Sequence, residues 1–415
     1  MTDTRTTLTP VLVAGCIIIT VSFAIRASFG VFQIPVAAEF GWARSEFSLA
    51  IAIQNLAWGI GQPVFGAIAE KIGDRKAIFL GALTYAAGLV LTAGSTTPAE
   101  HQLYAWLVGL GIAGTGFGVI LAVVGRAAPD DKRSMALAIT TAAGSFGQMI
   151  GAPVAEALMS VLSWQNTFVV FAVAILALVL SLPLLRAPEA AGGAAEPEQS
   201  MGRILRQALR DPSFTLIFLG FFSCGYQLGF ITAHFPAFVT ELCGPIAPGG
   251  LLHGIGITTT SALGAVSISL IGAANVGGTL LAGWAGKYYS KKYLLSGIYL
   301  GRTLVSAAFI LSPITPGSVL LFSVAMGAMW LATVPLTSGL IAQIYGLRYM
   351  GTLYGIVFFS HQLGGFLGVW LGGRMYDNFG DYTFVWWIGV GVGAFSALVH
   401  LPVRERPLAL RAAAV

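Results

Sequence analysis

Charge is scarce in this chain of 415 residues: Asp, Glu, Lys and Arg make up 9% of it, against about 25% in an ordinary soluble domain. With 56% hydrophobic residues as well, a water-soluble globule is excluded. Acids are scarcest where they would matter most. All 17 Asp and Glu fall in loops or near the ends of apolar runs, as Glu46 and Glu156 do, and none lies in the middle of one. A pump for cations would need a carboxylate at that depth to hold its cargo. The three cysteines, Cys16, Cys224 and Cys243, stand at unrelated spacings, so neither a disulfide framework nor a metal cluster is indicated and no cofactor is expected. Catalytic patterns are missing too. There is no HExxH and no Ser or Cys with a partner at a useful spacing, so an enzyme is not expected. Without a GxxxxGK[ST] loop, the chain has no P-loop with which to bind a nucleotide. Glycine strings such as GLGIAGTGFG follow no strand and precede no suitably placed acid, which rules out a dinucleotide fold. The longest loop is too short to hold a sensor domain.

What the chain has in quantity is apolar runs of about 20 residues, the length that crosses a bilayer core of roughly 30 Å. Twelve such spans are expected, at 11–36, 45–69, 77–96, 102–127, 134–159, 165–186, 213–240, 259–285, 293–312, 317–344, 351–373 and 384–403. No small-residue cleavage pattern follows the first, which reads as a retained helix. The fold class is thus an all-α membrane protein whose spans form two pseudo-symmetric six-helix bundles. The dividing segment, APEAAGGAAEPEQS at 187–200, has nothing to bury and reads as a flexible hinge. The domains are then 1–186, a first bundle; 187–212, a linker with a short basic helix; and 213–415, a second bundle. In that helix Arg203, Arg206 and Arg210 oppose Ile204 and Leu205, which fits either a helix lying on an anionic membrane surface or a solvated basic helix.

Positive charge sets the orientation. With both termini cytoplasmic, 17 of the 22 Lys and Arg fall on the cytoplasmic side. They include Arg5, Lys71, Arg75, Lys76, Lys132, Arg133, Lys287, Lys291, Lys292, Arg348 and Arg411. Only Arg44 and Arg374 lie outside, while Arg26, Arg126 and Arg302 are in or at the edge of spans. A multi-pass protein of the cell inner membrane is expected, its excess of basic residues serving as an orientation signal and not as a nucleic-acid surface. An internal repeat supports the division into halves. Moving by 217 residues lays GAIAEKIGDRK from Gly66 over GWAGKYYSKKY from Gly283, and Gly147 and Gly151 over Gly364 and Gly368. Parallel halves of this kind are a transporter signature, with the substrate site near the midplane between them.

The stretch from Gly66 to Lys76 resembles the loop pattern of the major facilitator superfamily, GxLaDrxGrrxxl, with Glu70 in place of the commoner Asp and Asp74 inserted among the basic residues. The resemblance covers the whole chain. It implies that Gly66, Glu70, Lys71, Gly73, Arg75 and Lys76 are gating and structural residues that link helix ends across the cytoplasmic face. The second copy, centred on Lys287, has lost the acid. Within the superfamily, Arg26 and the following VFQIPVAAEFGWARSEFSLAIA resemble the monocarboxylate porters and the oxalate:formate antiporters. A basic residue before a Val-Phe pair, here Arg26 before Val31 and Phe32, faces a carboxylate substrate in that branch. The cation those proteins carry in their eighth helix, and the porters' nearby aspartate, are absent from 259–285, so proton symport by their mechanism is not implied. The arginine typical of the fourth helix in proton-driven drug exporters is absent as well.

Arg26, in SFAIRASFGVF, is the chain's deepest formal charge, and a guanidinium can hold a carboxylate by two parallel hydrogen bonds. The expected cargo is therefore a small organic anion, a monocarboxylate, moved by a secondary transporter through alternating access. A structural arginine bonded to carbonyls or Tyr hydroxyls is the competing reading. Polar residues at similar depth complete the expected substrate site: Gln54 and Asn55 in span 2; Tyr226, Gln227 and His234 in span 7; Asn275 in span 8; Trp330 in span 10; His361 and Gln362 in span 11. Each has the alternative of bonding between helices. His234 and His361 titrate near neutrality and are candidates for proton coupling. Tyr354 shares a helical face with His361. Arg302 lies deep in span 9 and reads as a structural residue or as one that snorkels to the surface; Arg126 reads as snorkelling. The chain is expected to act as a monomer in the lipid bilayer. The alternative function is export of a drug-like or amphipathic solute through a cavity lined by Phe29, Tyr226 and Trp330.

Overall fold

The computed structural model describes residues 9–42, 44–186 and 200–408, and it holds helices and loops with no strand among them. The first span is α1 (Pro10–Ser28), a 3-10 turn (Phe29–Phe32) and α2 (Gln33–Phe40). Then come α3 (Arg44–Ile72), α4 (Asp74–Ala93), the broken pair α5 (Pro98–Thr115) and α6 (Phe117–Ala127), α7 (Arg133–Met159), and α8 (Trp164–Ala177) extended by a 3-10 segment (Leu178–Leu184). A surface helix α9 (Met201–Arg210) precedes α10 (Pro212–Leu242), the short α11 (Leu251–Gly254), α12 (Thr260–Tyr288) and α13 (Lys291–Leu311). A second broken pair, α14 (Pro316–Ala328) and α15 (Thr333–Tyr345), is followed by α16 (Met350–Phe379) and α17 (Thr383–His400). Ten described runs are long and apolar enough to cross a membrane. α3 and α7, with 29 and 27 residues, supply the other two expected spans; at 1.5 Å per residue they are about 44 and 40 Å long. Most of the expected linker, 187–199, lies outside the described residues, as do Arg5 and Arg411.

Three spans expected to be continuous are broken, and the reasons are local. Pro35 is the third residue of α2 and Pro335 the third of α15. A proline lacks the N–H that an interior position must donate but is tolerated in a first turn, so the helix restarts just ahead of it. In span 4 the interruption is Gly116, which is extended at φ −97° and ψ −165°. Each of the breaks in spans 4 and 10 frees backbone groups that lipid cannot satisfy, and a neighbouring amide side chain takes one of them. Gln62 Nε2 of α3 donates to the carbonyl of Ala113 at 3.1 Å, and Asn275 Oδ1 of α12 accepts from the N–H of Leu331 at 2.8 Å.

Glycines position the helices. A methyl group on Gly147 of α7 would lie 2.2 Å from the carbonyl oxygen of Thr20, and one on Gly151 2.1 Å from that of Ala24, so α7 rests directly on the α1 backbone. Gly364 and Gly368 of α16 stand in the same relation to Phe222 and Tyr226 of α10, at 2.2 and 2.3 Å. The two halves meet along α3 with α16, where Gly66 abuts Gly351 and Gly355 abuts Pro63, and along α7 with α12, where Ser134 Oγ donates to the Gly283 carbonyl at 2.7 Å. These approaches run from the ends bearing the basic loops, the basic face, to about the middle of each helix. On α9, Ile204 and Ala208 are buried while Arg203, Arg206 and Arg210 are exposed.

Candidate functional site

Arg26 lies in the last turn of α1, just before the 3-10 interruption. The end of a helix favours a cation by about 0.3 to 1 kcal/mol. Its Nη2 donates to Asn55 Oδ1 at 3.1 Å, and the guanidinium sits over the Trp58 ring, 4.8 Å from the centroid. A hydrogen bond from a charged group contributes about 1.5 to 3 kcal/mol, and a ring contact about 0.5 to 2 kcal/mol. Placing an arginine at mid-bilayer costs roughly 2.5 to 3.5 kcal/mol on insertion scales. The fold therefore tolerates this charge, yet neutral groups leave it uncancelled. Among the described residues Arg26 makes no ion pair, its Nε is buried with no hydrogen-bond partner, and the residue keeps part of its surface exposed.

The floor beneath Arg26 joins the two halves. Gln362 Nε2 donates to the backbone carbonyl of Asn55 at 3.3 Å, and Gln362 Oε1 pairs with His361 Nδ1 at 2.9 Å. Phe358 packs on Trp58 across the same junction, with centroids 4.7 Å apart, and stacks on His361 at 5.0 Å. Behind Trp58, its indole N–H donates to Gln62 Oε1 at 2.8 Å, which ties the arginine's platform to the break in span 4.

At the basic face Glu70 reaches from α3 to the first turn of α16. Its Oε1 accepts from the Thr352 N–H at 3.0 Å and its Oε2 from the Thr352 hydroxyl at 2.7 Å. A carboxylate at a helix N-terminus is doubly favoured, by unpaired N–H groups and by the helix dipole. Arg75 stays within the first half, where its Nε donates to the Leu185 carbonyl at 2.9 Å at the end of span 6. Gly73, at φ 97°, makes the left-handed turn between α3 and α4 that a side chain would strain. Lys71 and Lys76 are exposed. Arg126 does more than snorkel: it forms an ion pair with Asp74 at 2.6 Å.

The sequence profile of the Major Facilitator Superfamily matches residues 15–369. The chain belongs to the major facilitator superfamily. It is 26% identical over 389 residues, 91% of this chain and 90% of the relative, to an uncharacterized MFS-type transporter, YcxA, of Bacillus subtilis. It is 25% identical over 372 residues, 87% and 80% of the two chains, to monocarboxylate transporter 13 of Rattus norvegicus. Among solved structures, the Escherichia coli fucose:proton symporter FucP superposes with a TM-score of 0.70 at 14% identity over 94% of this chain and 97% of that one. The proton:xylose symporter XylE superposes with a TM-score of 0.71 at 16% identity over 96% and 97%. The chain is thus a multi-pass membrane transporter with the major facilitator fold, of a family that carries small molecules and is not enzymatic.

The superfamily fold gathers only some of the residues expected at the site. Arg26, Asn55, His361 and Gln362 come together. Gln54 is buried where α3 rests against Gly109 of α5. Tyr226, Gln227 and His234 turn into the second half: their side chains bond to the carbonyls of Val385 at 3.2 Å, Gly389 at 2.8 Å and Val369 at 2.9 Å. Asn275, besides closing the break in span 10, donates to Ser145 Oγ of α7 at 2.7 Å. Trp330 lies within that break, and its carbonyl faces Cys224 Sγ at 3.9 Å. These five residues serve contacts between helices, as the alternative reading of each allowed. Arg302 is fully buried and does not snorkel. Sequence reasoning missed Trp58, because an aromatic residue on an apolar helix looks like packing until a cation is found against it, and Gln62, whose partners are Trp58 and the carbonyl freed at the break in span 4.

Proposed function

We propose that this protein is a secondary transporter for a small organic anion, a monocarboxylate first of all, with Arg26 as the group that receives the carboxylate. One observation carries the reading: a guanidinium at middle depth, held by an amide and an indole, has a buried Nε–H without a partner and, among the described residues, no acid to cancel it. A travelling carboxylate supplies both the missing charge and the missing acceptors. Relatives named as monocarboxylate transporters point the same way. By the positive-inside rule the basic face is cytoplasmic, in the inner membrane of the cell, with both termini on that side. The contacts from Glu70 to Gln362 then close the inner gate in this state. The bundles 1–186 and 213–415, joined by the linker 187–212, rock about Arg26 in a monomer.

The test is uptake into proteoliposomes, after a thermal-shift screen of short carboxylates, sugars and cationic drugs has found a stabilising solute. Arg26→Gln is expected to abolish saturable carboxylate uptake while the protein stays monodisperse. Unchanged uptake, or stabilisation by cationic drugs alone, would remove Arg26 as the ligand.

A further inference from the structure

The two halves build the same polar node at the same place, and they fill it differently. In the first half, Ser22 Oγ meets the Thr115 hydroxyl at 2.9 Å, and the Ser22 carbonyl accepts from the hydroxyl of Tyr85 at 3.2 Å. In the second, Cys224 Sγ meets the Thr333 hydroxyl at 3.4 Å, and the Cys224 carbonyl accepts from Arg302 Nη2 at 3.5 Å. Tyr85 and Arg302 are separated by the same 217 residues as the glycine pairs. Thr115 and Thr333 flank the breaks in spans 4 and 10. Ser22 and Cys224 correspond as Thr20 does to Phe222 and Ala24 to Tyr226 in the glycine crossings. A neutral tyrosine therefore suffices to complete this node, so the fold does not require the charge at Arg302.

That charge is costly where it stands. Arg302, Cys224, Tyr299, Tyr354 and Thr333 are all sealed from solvent, and no carboxylate pairs with the arginine among the described residues. Arg302 Nη1 donates to Cys224 Sγ at 3.3 Å, and its guanidinium lies 5.8 Å from the Tyr299 ring centroid. Its Nε and the hydroxyl of Tyr354 are buried without a hydrogen-bond partner, and the Tyr299 hydroxyl lies beside Thr333. Tyr299 is within electrostatic reach of both Cys224 and Arg302, and Tyr354 and His361 within reach of Cys224. Polar groups left unpaired in an apolar interior are costly, and here they cluster around a guanidinium. Next to them is the N-terminus of α15, whose first residue is Thr333 and which has no side-chain cap.

We propose that this cluster is a second, enclosed anion site, separate from the carboxylate site at Arg26, and that it takes a small inorganic anion of halide size. The occupant would accept from Arg302 Nε and from the two tyrosine hydroxyls, and its charge would cancel that of the guanidinium. Enclosure on all sides selects a monatomic ion over a carboxylate with a chain attached. Bound there, the anion would join α10, α13, α15 and α16 within the second half.

The experiment uses the full chain, purified in sodium gluconate and titrated with sodium chloride at constant ionic strength while the thermal midpoint is followed. The wild type is expected to show a saturable rise, because a ligand stabilises the state that binds it. Arg302→Tyr, which copies the node of the first half, is expected to fold and to give a flat response, whereas Arg26→Gln keeps the rise. No chloride-dependent rise in the wild type, or an undiminished one in Arg302→Tyr, overturns the proposal. Should Arg302→Tyr fail to fold, anomalous diffraction from wild-type crystals grown in bromide decides the matter: density beside Arg302 supports the site, and its absence overturns it. Formate replaces chloride in a separate arm. A formate response lost in Arg302→Tyr but kept in Arg26→Gln would overturn the halide assignment and the proposed substrate site together, while one lost only in Arg26→Gln leaves both standing.

Discussion

Replacing Glu70 by alanine should open the basic face. The side chain makes two contacts with Thr352, at 3.0 and 2.7 Å, which are charge-assisted above the pKa of about 7 to which burial pushes Glu70 up, and it is the described acid that bridges α3 to the start of α16. A hydrogen bond to a charged group contributes about 1.5 to 3 kcal/mol, and interaction with the helix N-terminus adds about 0.3 to 1 kcal/mol. The two bonds share one partner residue and do not add fully, so the closed arrangement should lose about 2 to 4 kcal/mol relative to one in which α3 and α16 part. At 1.4 kcal/mol per tenfold, the closed-to-open ratio falls about 30- to 700-fold. Spin labels at the exposed positions Lys71 on α3 and Tyr289 beyond α12 report the separation of the halves at this face. Pulsed dipolar spectroscopy should find one short distance in the wild type and a longer population in Glu70→Ala. Glu70→Gln keeps the shape without the charge and should fall between them. An identical distance distribution in Glu70→Ala and wild type would show that the glycine contacts alone hold the face closed, and would refute the argument from the carboxylate.

Gly364→Ala and Gly147→Ala each place a methyl group 2.2 Å from a carbonyl oxygen of the helix beneath, an overpacking that costs about 1 to 3 kcal/mol; both should lower the thermal midpoint, and an unchanged midpoint in either would mean that its crossing is looser than described. Asn275→Ala leaves the N–H of Leu331 without its partner and removes the bond that the Ser145 hydroxyl accepts, while that hydroxyl still donates to the Thr141 carbonyl, at about 1 to 3 kcal/mol for the unpaired buried N–H. The variant should be less stable yet keep its affinity for carboxylates, and a selective loss of affinity would return Asn275 to the substrate site.

The spans were legible because crossing a bilayer sets a minimum length for an apolar run, and the repeat was legible because a glycine at a helix crossing has no substitute. Arg26 stood out for a related reason: one charge in oil is conspicuous. The breaks were harder. Pro335 lies in an apolar stretch, and sequence alone does not separate a proline that kinks a helix from one that starts a new half-helix. Helical spacing correctly put Gln227 and His234 on one side of α10, but spacing does not say what that side faces, and here it is α16 and α17. Cys224 gave no signal at all, since a lone cysteine in a membrane helix is indistinguishable from a small apolar residue until Arg302 is found beside it.

The halves agree in what depends on backbone approach and differ in what depends on charge. Both rest a glycine-bearing helix on the first helix of the half, and both break a span and close the break with an amide from a neighbour. Yet Glu70 in the first half corresponds to Lys287 in the second, and Tyr85 to Arg302. Packing must match if two bundles are to rock as similar bodies, because a misfit in one crossing would strain every helix that crosses it. Charge obeys no such constraint. An acid on one half alone can grip the other half, as Glu70 does with Thr352, and each half carries one cation in a span, Arg26 and Arg302, with no acid paired to either among the described residues.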